Sequence, residues 1–209
     1  MLGSGIEYEL QFPDINKKEI IKKLKKLGAK RVHKKLLYSS IYYWNYKENY
    51  FIRIRNEYDN ITVTKKILRD NKMPIEYEID SSSSLKTIDE FVRNMIDLPK
   101  FSKIEIEKFR EKWTLKNMCN EIVFDTWPGL DEFMEIDCST KKDLDKIMSL
   151  LNLHDKKHYT KGAFDYYQDI YGIKDRKVLK NSILKFSTFE KTLQPHVTKN
   201  RSLLKKKKL

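Results

Sequence analysis

Ile6-Glu7-Tyr8-Glu9-Leu10-Gln11-Phe12 is the stretch that decides the fold. Its apolar and polar residues alternate with a period of two, as in a strand that has one face in the core. One such strand is typical of any surface sheet. The alternation, with charged or polar side chains at i and i+2, recurs along the chain. The recurring segments are Tyr50–Arg55, Ile61–Lys66, Ile75–Ile79, Ile104–Trp113, Asn120–Asp125 and Phe133–Asp137.

Strands that follow one another in this way need a shape that protects their edges, and an antiparallel barrel is one economical answer. Amphipathic helices between the strands would cover the apolar outer face. The charged side chains would then line the bore. We therefore expect an α+β protein with helices outside a barrel. The predicted helices are Asn16–Leu27, whose lysine-rich face we expect to be solvated, Leu85–Leu98, a third through Leu151, and one over about 160–171; residues 31–46 form one strand or two.

Charge divides the chain into two parts. The net charge of +13 is concentrated in residues 174–209, which hold 12 Lys or Arg against Asp175 and Glu190. Residues 1–173 hold 31 Lys or Arg and 28 Asp or Glu. A domain whose positive and negative charges are so nearly equal is not typical of a globular nucleic-acid binder with a basic face. We therefore expect a domain over 1–173 and a basic, partly helical or disordered extension over 174–209, which could dock on nucleic acid or another acidic partner.

Several features of the sequence bear on the cellular compartment in which the protein resides. No apolar run reaches the ~18 residues of a membrane span, and no signal-peptide pattern opens the chain. The two cysteines, Cys119 and Cys138, lack metal-ligand spacing, and a reduced compartment is the default. We expect a soluble intracellular protein, cytoplasmic or, from the run Lys205 to Lys208, nuclear, with no membrane partner. A monomer and a homodimer both stay open.

The charged side chains of these strands include both bases and acids, and this combination indicates the chemistry of the site. Bases alone suit a chain of phosphates, whereas clustered carboxylates suit Mg²⁺ or Mn²⁺, which prefer oxygen ligands. Together they predict a site for a metal–polyphosphate complex. The alternative is that bases and acids pair across a solvated sheet, where ion pairs contribute little. The set comprises Arg53, Arg55, Lys66, Lys108 and Arg110 against Glu7, Glu9, Glu76, Glu78, Asp125, Glu135 and Asp137.

The order and spacing of these segments resemble the CYTH domain, the triphosphate tunnel fold of class IV adenylyl cyclases and thiamine triphosphatases. The resemblance runs from Ile6 to about Ile173. A closing segment, Tyr166-Tyr167-Gln168-Asp169-Ile170-Tyr171-Gly172, looks like the family's last motif, with Tyr166 in the place of a serine. The other segments on which the resemblance rests are Glu7-x-Glu9, Phe51–Arg55, Val63–Lys66, Glu76-x-Glu78, Ile106–Arg110 and Asp125–Asp137.

The resemblance implies a closed eight-stranded antiparallel barrel that binds a triphosphate and Mg²⁺ or Mn²⁺. It implies three sets of site residues. Catalytic roles fall to Glu7, Glu9, Lys66 and Arg110. Substrate-binding roles fall to Arg53, Arg55, Lys66, Lys108, Arg110, Gln11 and Tyr167. Metal binding, or orientation of water and of the bases, falls to Glu7, Glu9, Glu76, Glu78, Asp125, Glu135 and Asp137.

Two positions depart from the family pattern. Gln11 stands where the opening motif has a lysine, and a glutamine brings no charge to a phosphate. The stretch Gly129-Leu130-Asp131-Glu132 is one residue longer than the family's Gly-Leu-Gly, which affects a hairpin. The first change bears on the rate of catalysis.

Three functions are compatible with the sequence. The first is a metal-dependent phosphohydrolase of a nucleoside triphosphate such as ATP, of thiamine triphosphate or of tripolyphosphate. The second is a class IV-type adenylyl cyclase that makes cyclic AMP and pyrophosphate from ATP. The third is a non-catalytic binder of a triphosphate, a nucleotide or an RNA 5′ end, which Gln11 and the basic extension favour. Hydrolysis asks least of the site and ranks first.

Overall fold

The structure is a computed structural model that describes residues 3–6, 8–57, 60–69, 72–160, 163–173 and 179–197. Its strands join one continuous sheet in the described ranges. The strands are β1 (Gly3–Ile6), β2 (Tyr8–Phe12), β3 (Lys30–Asn45), β4 (Tyr50–Asn56), β5 (Ile61–Arg69), β6 (Lys72–Ser81), β7 (Ser102–Leu115), β8 (Cys119–Thr126), β9 (Phe133–Cys138) and β10 (Ile183–Leu184).

The sheet is strongly curled but open, whereas the resemblance implied a closed barrel, and its two outermost strands belong to the first segment of the chain. Its strand order is β1-β6-β5-β4-β3-β7-β8-β9-β2, and all of these pairs are antiparallel. The outermost strands, β1 and β2, are separated in sequence by a single residue, Glu7. If β1 and β2 are counted as one segment, the described residues form eight antiparallel strands. The predicted eight-stranded antiparallel architecture is therefore confirmed, as a strongly curled sheet.

Helices cover the outer face of this sheet. The helices are α1 (Lys17–Lys26), α2 (Leu85–Met95), α3 (Lys141–Leu151), α4 (Ala163–Tyr171) and α5 (Phe189–Leu193). Helices α1 and α3 bury Ile20, Leu24 and Ile147 against the outward side chains of β8 and β9. Helix α2 packs Val92 and Ile88 on the outer side chains of β3, β4 and β5. The predicted arrangement, with amphipathic helices outside, is confirmed for these three.

Two predicted elements differ in extent. Residues 30–45 form one long strand, β3, although the sequence left one strand or two open. Helix α2 ends at Met95 instead of Leu98, because Ile96 is already extended (φ −113°, ψ 154°). Leu98–Lys100 then forms a separate 3₁₀ turn around Pro99, a residue that disfavours helix before it.

The inward face of the sheet is divided along its length. On β4, for example, Arg55 and Arg53 face inward and are followed by Phe51; on β7, Arg110 and Lys108 are followed by Ile106 and Ile104. Strands β8 and β9 change in the same sense, because Asp125 is followed by Trp127 and Glu135 is preceded by Phe133. One half of the bore is thus charged and the other half is apolar.

The apolar half is filled and covered by the last described part of the chain. Helix α4 and residues 179–197 bring Tyr167, Leu184 and Phe189 into one buried cluster with the inward residues Phe51 and Ile106. Strand β10 lies parallel to β7 and pairs Leu184 with Ile106. The members of the cluster are at most 7% exposed, so this end of the bore is closed to solvent. Residues 174–178 and 198–209 of the predicted extension lie outside the described residues.

Candidate functional site

Asp125 lies at the deepest point of the charged half and has no exposed surface. Its Oδ2 accepts a hydrogen bond from Lys108 Nζ at 2.8 Å, and both its oxygens accept from Arg110 at 2.7 Å. Burial opposes ionisation of Asp125, but the charges of Arg110 and Lys108 outweigh it and hold the pKa of the carboxyl well below its usual range. Burial, together with the charge of Arg110, lowers the pKa of Lys108 to about 8.

Both oxygens of Asp125 are therefore engaged by bases. Asp125 was predicted as a metal ligand. Its contacts fit the other role predicted for it, which is to orient the bases Lys108 and Arg110, and metal binding by Asp125 stays a prediction.

Arg110 links this pair to two further carboxylates. Its Nη1 lies 3.1 Å from Glu121 and its Nη2 lies 3.2 Å from Glu135. Glu121 also pairs with Lys112. Burial opposes ionisation of Glu121, but the charges of Arg110 and Lys112 lower its pKa to about 2. The guanidinium is 3% exposed and is thus fixed from three sides.

A second group of bases lies on β4 and β5. Arg53 Nη2 is 3.0 Å from Thr64 Oγ1 and contacts Glu76 and Glu78 at 3.4 and 3.3 Å. Lys66 Nζ lies 3.0 Å from Glu9 and 3.3 Å from Glu76. Glu76 and Glu78 were predicted to hold metals or to orient water and the bases. In the structure Glu76 contacts Arg53 and Lys66, and Glu78 contacts Arg53.

Arg55 continues the inward row of β4 and is buried. It forms an ion pair with Glu57, whose carboxylate also accepts from Thr62 Oγ1 at 3.3 Å. Burial opposes ionisation of Glu57, but the charge of Arg55 outweighs it and lowers the pKa of that carboxyl. The pair holds the guanidinium in place on the wall of the bore.

Gln11 lies between two carboxylates. Its Nε2 donates to Glu135 at 2.7 Å and to Glu9 at 3.2 Å. The residue is 5% exposed, so the amide is held where the family pattern has a lysine. In this arrangement Gln11 orients acids.

Glu9 of β2, together with Glu135 and Asp137 of β9, forms an acidic cluster on two neighbouring strands. Glu9 and Asp137 are direct cross-strand partners between β2 and β9. Burial, followed by the charge of Glu9, raises the pKa of Asp137 to about 7, and the same two causes raise the pKa of Glu135. Asp137 Oδ1 is buried and has no hydrogen-bond partner among the described residues.

Comparison with solved structures identifies this architecture. A protein of Pyrococcus horikoshii superposes with a TM-score of 0.61 at 19% identity, over 77% of this chain and 98% of that one. A putative adenylate cyclase of Vibrio parahaemolyticus gives 0.58 at 14% identity, over 75% and 95%. A putative adenylyl cyclase of Hippeastrum, described as having a dominant triphosphatase activity, gives 0.50 at 13% identity, over 78% and 95%.

The chain has the CYTH fold, the triphosphate tunnel. These likenesses are below 25% identity and show the fold alone. No family model matches the sequence, and no curated protein matches it. Within the described ranges, the structure contains no helix that is long and apolar enough to cross a membrane.

The acidic cluster is the part of the site whose chemistry suits a divalent metal. Its donors are all oxygen atoms, as Mg²⁺ and Mn²⁺ require. The cluster also leaves one buried oxygen, Asp137 Oδ1, without a partner. No three His, Cys, Asp or Glu side chains within the described ranges already form a metal-ligand group. Glu9, Glu135 and Asp137 stay candidates for holding an ion, and Glu7 lies outside the described residues.

Tyr167, predicted to contact substrate, lies in the closed apolar end of the tunnel. It is fully buried and its hydroxyl donates to the Pro128 carbonyl at 2.6 Å. The hydroxyl of Tyr171 donates to the Gly129 carbonyl in the same turn. The contact made by Tyr167 is thus a structural one, which fixes the turn between β8 and β9.

Sequence reasoning missed three charged residues of the tunnel: Glu57, Glu121 and Lys112. Glu121 and Lys112 carry the signal that was applied elsewhere, since they share strand parity with Asp125 and Arg110 respectively. Glu57 lies just beyond the end of β4, where periodicity no longer applies, and only the three-dimensional structure places it beside Arg55.

Proposed function

We propose that this chain is a divalent-metal-dependent phosphohydrolase that removes the terminal phosphate of a nucleoside, thiamine or inorganic triphosphate. One observation carries the proposal. Five bases, Arg53, Arg55, Lys66, Lys108 and Arg110, converge with an acidic cluster in a tunnel that is closed at one end.

The bases would bind the phosphates. Each is fixed by a carboxylate before any ligand arrives, so little side-chain entropy remains to be lost on binding. Arginine forks suit phosphate oxygens because they donate in pairs. Lys66 and Arg110, which the family resemblance makes catalytic, would stabilise the charge that develops on the transferred phosphoryl group.

The closed end gives the substrate a direction. The apolar half is occupied by the protein's own aromatic and aliphatic side chains, so a base, thiazole or sugar would stay towards the open mouth. The terminal phosphate would then lie deepest, beside Lys108 and Arg110. This orientation supports hydrolysis over cyclisation, because cyclisation needs the α-phosphate, which would lie nearer the mouth.

Glu9, Glu135 and Asp137 would hold Mg²⁺ or Mn²⁺, with Glu7 as a further candidate on the same strand segment. A bound divalent ion supplies charge neutralisation and lowers the pKa of a water molecule. Gln11 donates to Glu9 and Glu135 and would help to orient these two carboxylates. Asp125 keeps Lys108 and Arg110 in position.

The test is an assay of the purified protein with ATP, GTP, thiamine triphosphate and tripolyphosphate, each with Mg²⁺ and with Mn²⁺. We expect free phosphate as the product. Cyclic AMP with pyrophosphate would instead establish a cyclase. Tight binding without turnover would establish a non-catalytic binder, which is the outcome that the Gln11 departure favours.

A further inference from the structure

The body of the protein has one strongly basic surface, although its total charge is nearly balanced. Residues 17–35 contain ten Lys or Arg and a single acid, Glu19. The other residues up to 173 contain 21 Lys or Arg and 27 Asp or Glu. The near balance of the whole therefore hides a segregation of charge, and the sequence argument against a basic face does not hold.

Helix α1 and the first half of β3 carry this surface. We define the basic face as the exposed lysines of these two elements. They are Lys18, Lys22, Lys25 and Lys26 of α1, and Lys30, Lys34 and Lys35 of β3. On α1 the spacing of three and four residues places them along one side of the helix, away from the buried Ile20 and Leu24.

The two elements lie side by side. Glu111 Oε2 lies 3.0 Å from Lys17 Nζ of α1, and its Oε1 lies 3.7 Å from Arg31 Nη1 of β3. One carboxylate thus joins the start of α1 to the start of β3. The two elements that carry the basic face are therefore adjacent at this point.

The bases of this region divide into two kinds. Lys17 pairs with Glu111 and Glu132, and Lys23 donates to the Leu151 carbonyl, so these two anchor α1. Lys18, Lys22, Lys25, Lys26, Lys30 and Lys34 form no side-chain hydrogen bond or ion pair with any residue of the described ranges. Because Glu19 is the single acid of residues 17–35, the face carries a concentrated positive field.

We propose that the basic face binds the phosphodiester backbone of a nucleic acid, without reading its bases. Rows of unpaired lysines suit a regularly charged polyanion, and each phosphate contact releases condensed counterions. Helix α1 buries its apolar side in the core. Val32 and Leu37 of β3 are exposed, but two separate side chains give little apolar area to insert into a lipid surface, so a nucleic acid is favoured over a membrane. The tunnel is not involved, and the inference does not depend on the proposed function.

The experiment measures binding of the full chain to a fluorescent single-stranded RNA oligonucleotide by anisotropy over a series of salt concentrations. The variant carries Lys18→Gln, Lys22→Gln, Lys25→Gln and Lys26→Gln. We expect it to bind about tenfold more weakly or worse at low salt, with the slope of log K against log salt reduced by about three. Its circular dichroism and its triphosphate turnover should equal those of the parent.

A matched control removes the same charge elsewhere, with Lys47→Gln, Lys65→Gln, Lys86→Gln and Lys100→Gln; it should bind RNA like the parent. A third protein carries glutamine at Lys205 to Lys208. The proposal is overturned if only this third protein loses binding, if the first variant and the control lose it equally, or if the parent binds phosphatidylserine vesicles and not RNA.

Discussion

Glu9 of β2 and Asp137 of β9 are directly opposite each other in the antiparallel register, with both carboxylates on the inner face of the tunnel. Like charges at such a pair destabilise a sheet. The sheet keeps them, and the pKa of Asp137 rises to about 7 through burial and the charge of Glu9. A cation bound between these strands would remove the repulsion between the two carboxylates. The effect of replacing one of them should therefore have opposite signs without and with metal.

Replacement of Asp137 by asparagine should have opposite effects on the metal-free and the metal-loaded protein. Without metal, the loss of repulsion should raise the free energy of unfolding by about 0.5 kcal/mol at a pH above about 8, where Asp137 is ionised. With Mn²⁺, the stabilisation given by the ion should shrink, because the variant binds it more weakly. Thermal unfolding with and without Mn²⁺ measures both.

Asp145→Asn, on the exposed face of α3, is the control and should change neither quantity. If Asp137→Asn and the parent gain the same stability from Mn²⁺, Asp137 is not a ligand.

Period-two alternation was enough to predict the inward rows of β4 and β7. Phe51, Arg53 and Arg55 share one face in the sequence and in the structure. Strand β10 could not be predicted, since two residues show no periodicity and their parallel pairing with β7 is non-local. The division of the bore into charged and apolar halves was equally hidden, because it depends on how neighbouring strands are staggered.

The free energy of unfolding at acidic pH should depend on Glu121. Its pKa is about 2 in the folded protein, against an ordinary value of 4.5, because Arg110 and Lys112 outweigh the cost of burial. A lowered folded pKa contributes stability that is complete above the unfolded pKa and is lost as pH falls from about 4.5 towards 2.

Glu121→Gln should therefore flatten the fall in unfolding free energy over that interval, measured by urea titration at several pH values. Glu90→Gln, on the solvent side of α2, should leave the profile unchanged. An identical acid profile for Glu121→Gln and the parent would show that the pairs with Arg110 and Lys112 contribute nothing.

Arg55→Ala should weaken triphosphate binding at least about tenfold, since a charge-assisted bidentate contact contributes more than 1.4 kcal/mol. It removes a buried guanidinium and leaves Glu57 facing the phosphates. Titration calorimetry with tripolyphosphate measures the change. Arg93→Ala, in the last turn of α2, is the control, and unchanged affinity in a folded Arg55→Ala protein would exclude Arg55 from the clamp.

Gln11→Lys restores the residue that the family pattern has at this position. A lysine there would lie between Glu9 and Glu135, which now accept from the Gln11 amide, and could extend an added charge towards the phosphates. We expect turnover to rise if the missing charge limits the rate. Initial rates with saturating triphosphate and Mn²⁺ measure this, and an equal or lower rate would mean that the amide suits this tunnel.

The closed end of the tunnel depends on the contact between Gly129 and Phe189. Gly129 has φ of +79°, and a Cβ built there would lie 3.0 Å from Phe189 Cδ2. Gly129→Ala should therefore lower the free energy of unfolding by more than the ~1–2 kcal/mol that an alanine in the left-handed backbone conformation costs. Gly28→Ala (φ +82°, no atom within 4 Å) is the matched control for the backbone cost alone.

Phe189→Ala should lower the free energy of unfolding by about 3–5 kcal/mol, because it leaves a cavity in the apolar cluster that closes this end of the tunnel. The double variant should be more stable than the sum of the single losses predicts, because the smaller side chain at 189 removes the two contacts with Phe189, although the contact with Tyr171 Oη at 3.1 Å remains. Urea unfolding of the four proteins yields this coupling energy. Strict additivity, or equal costs for Gly129→Ala and Gly28→Ala, would mean that residues 179–197 do not seal this end of the tunnel as the structure shows.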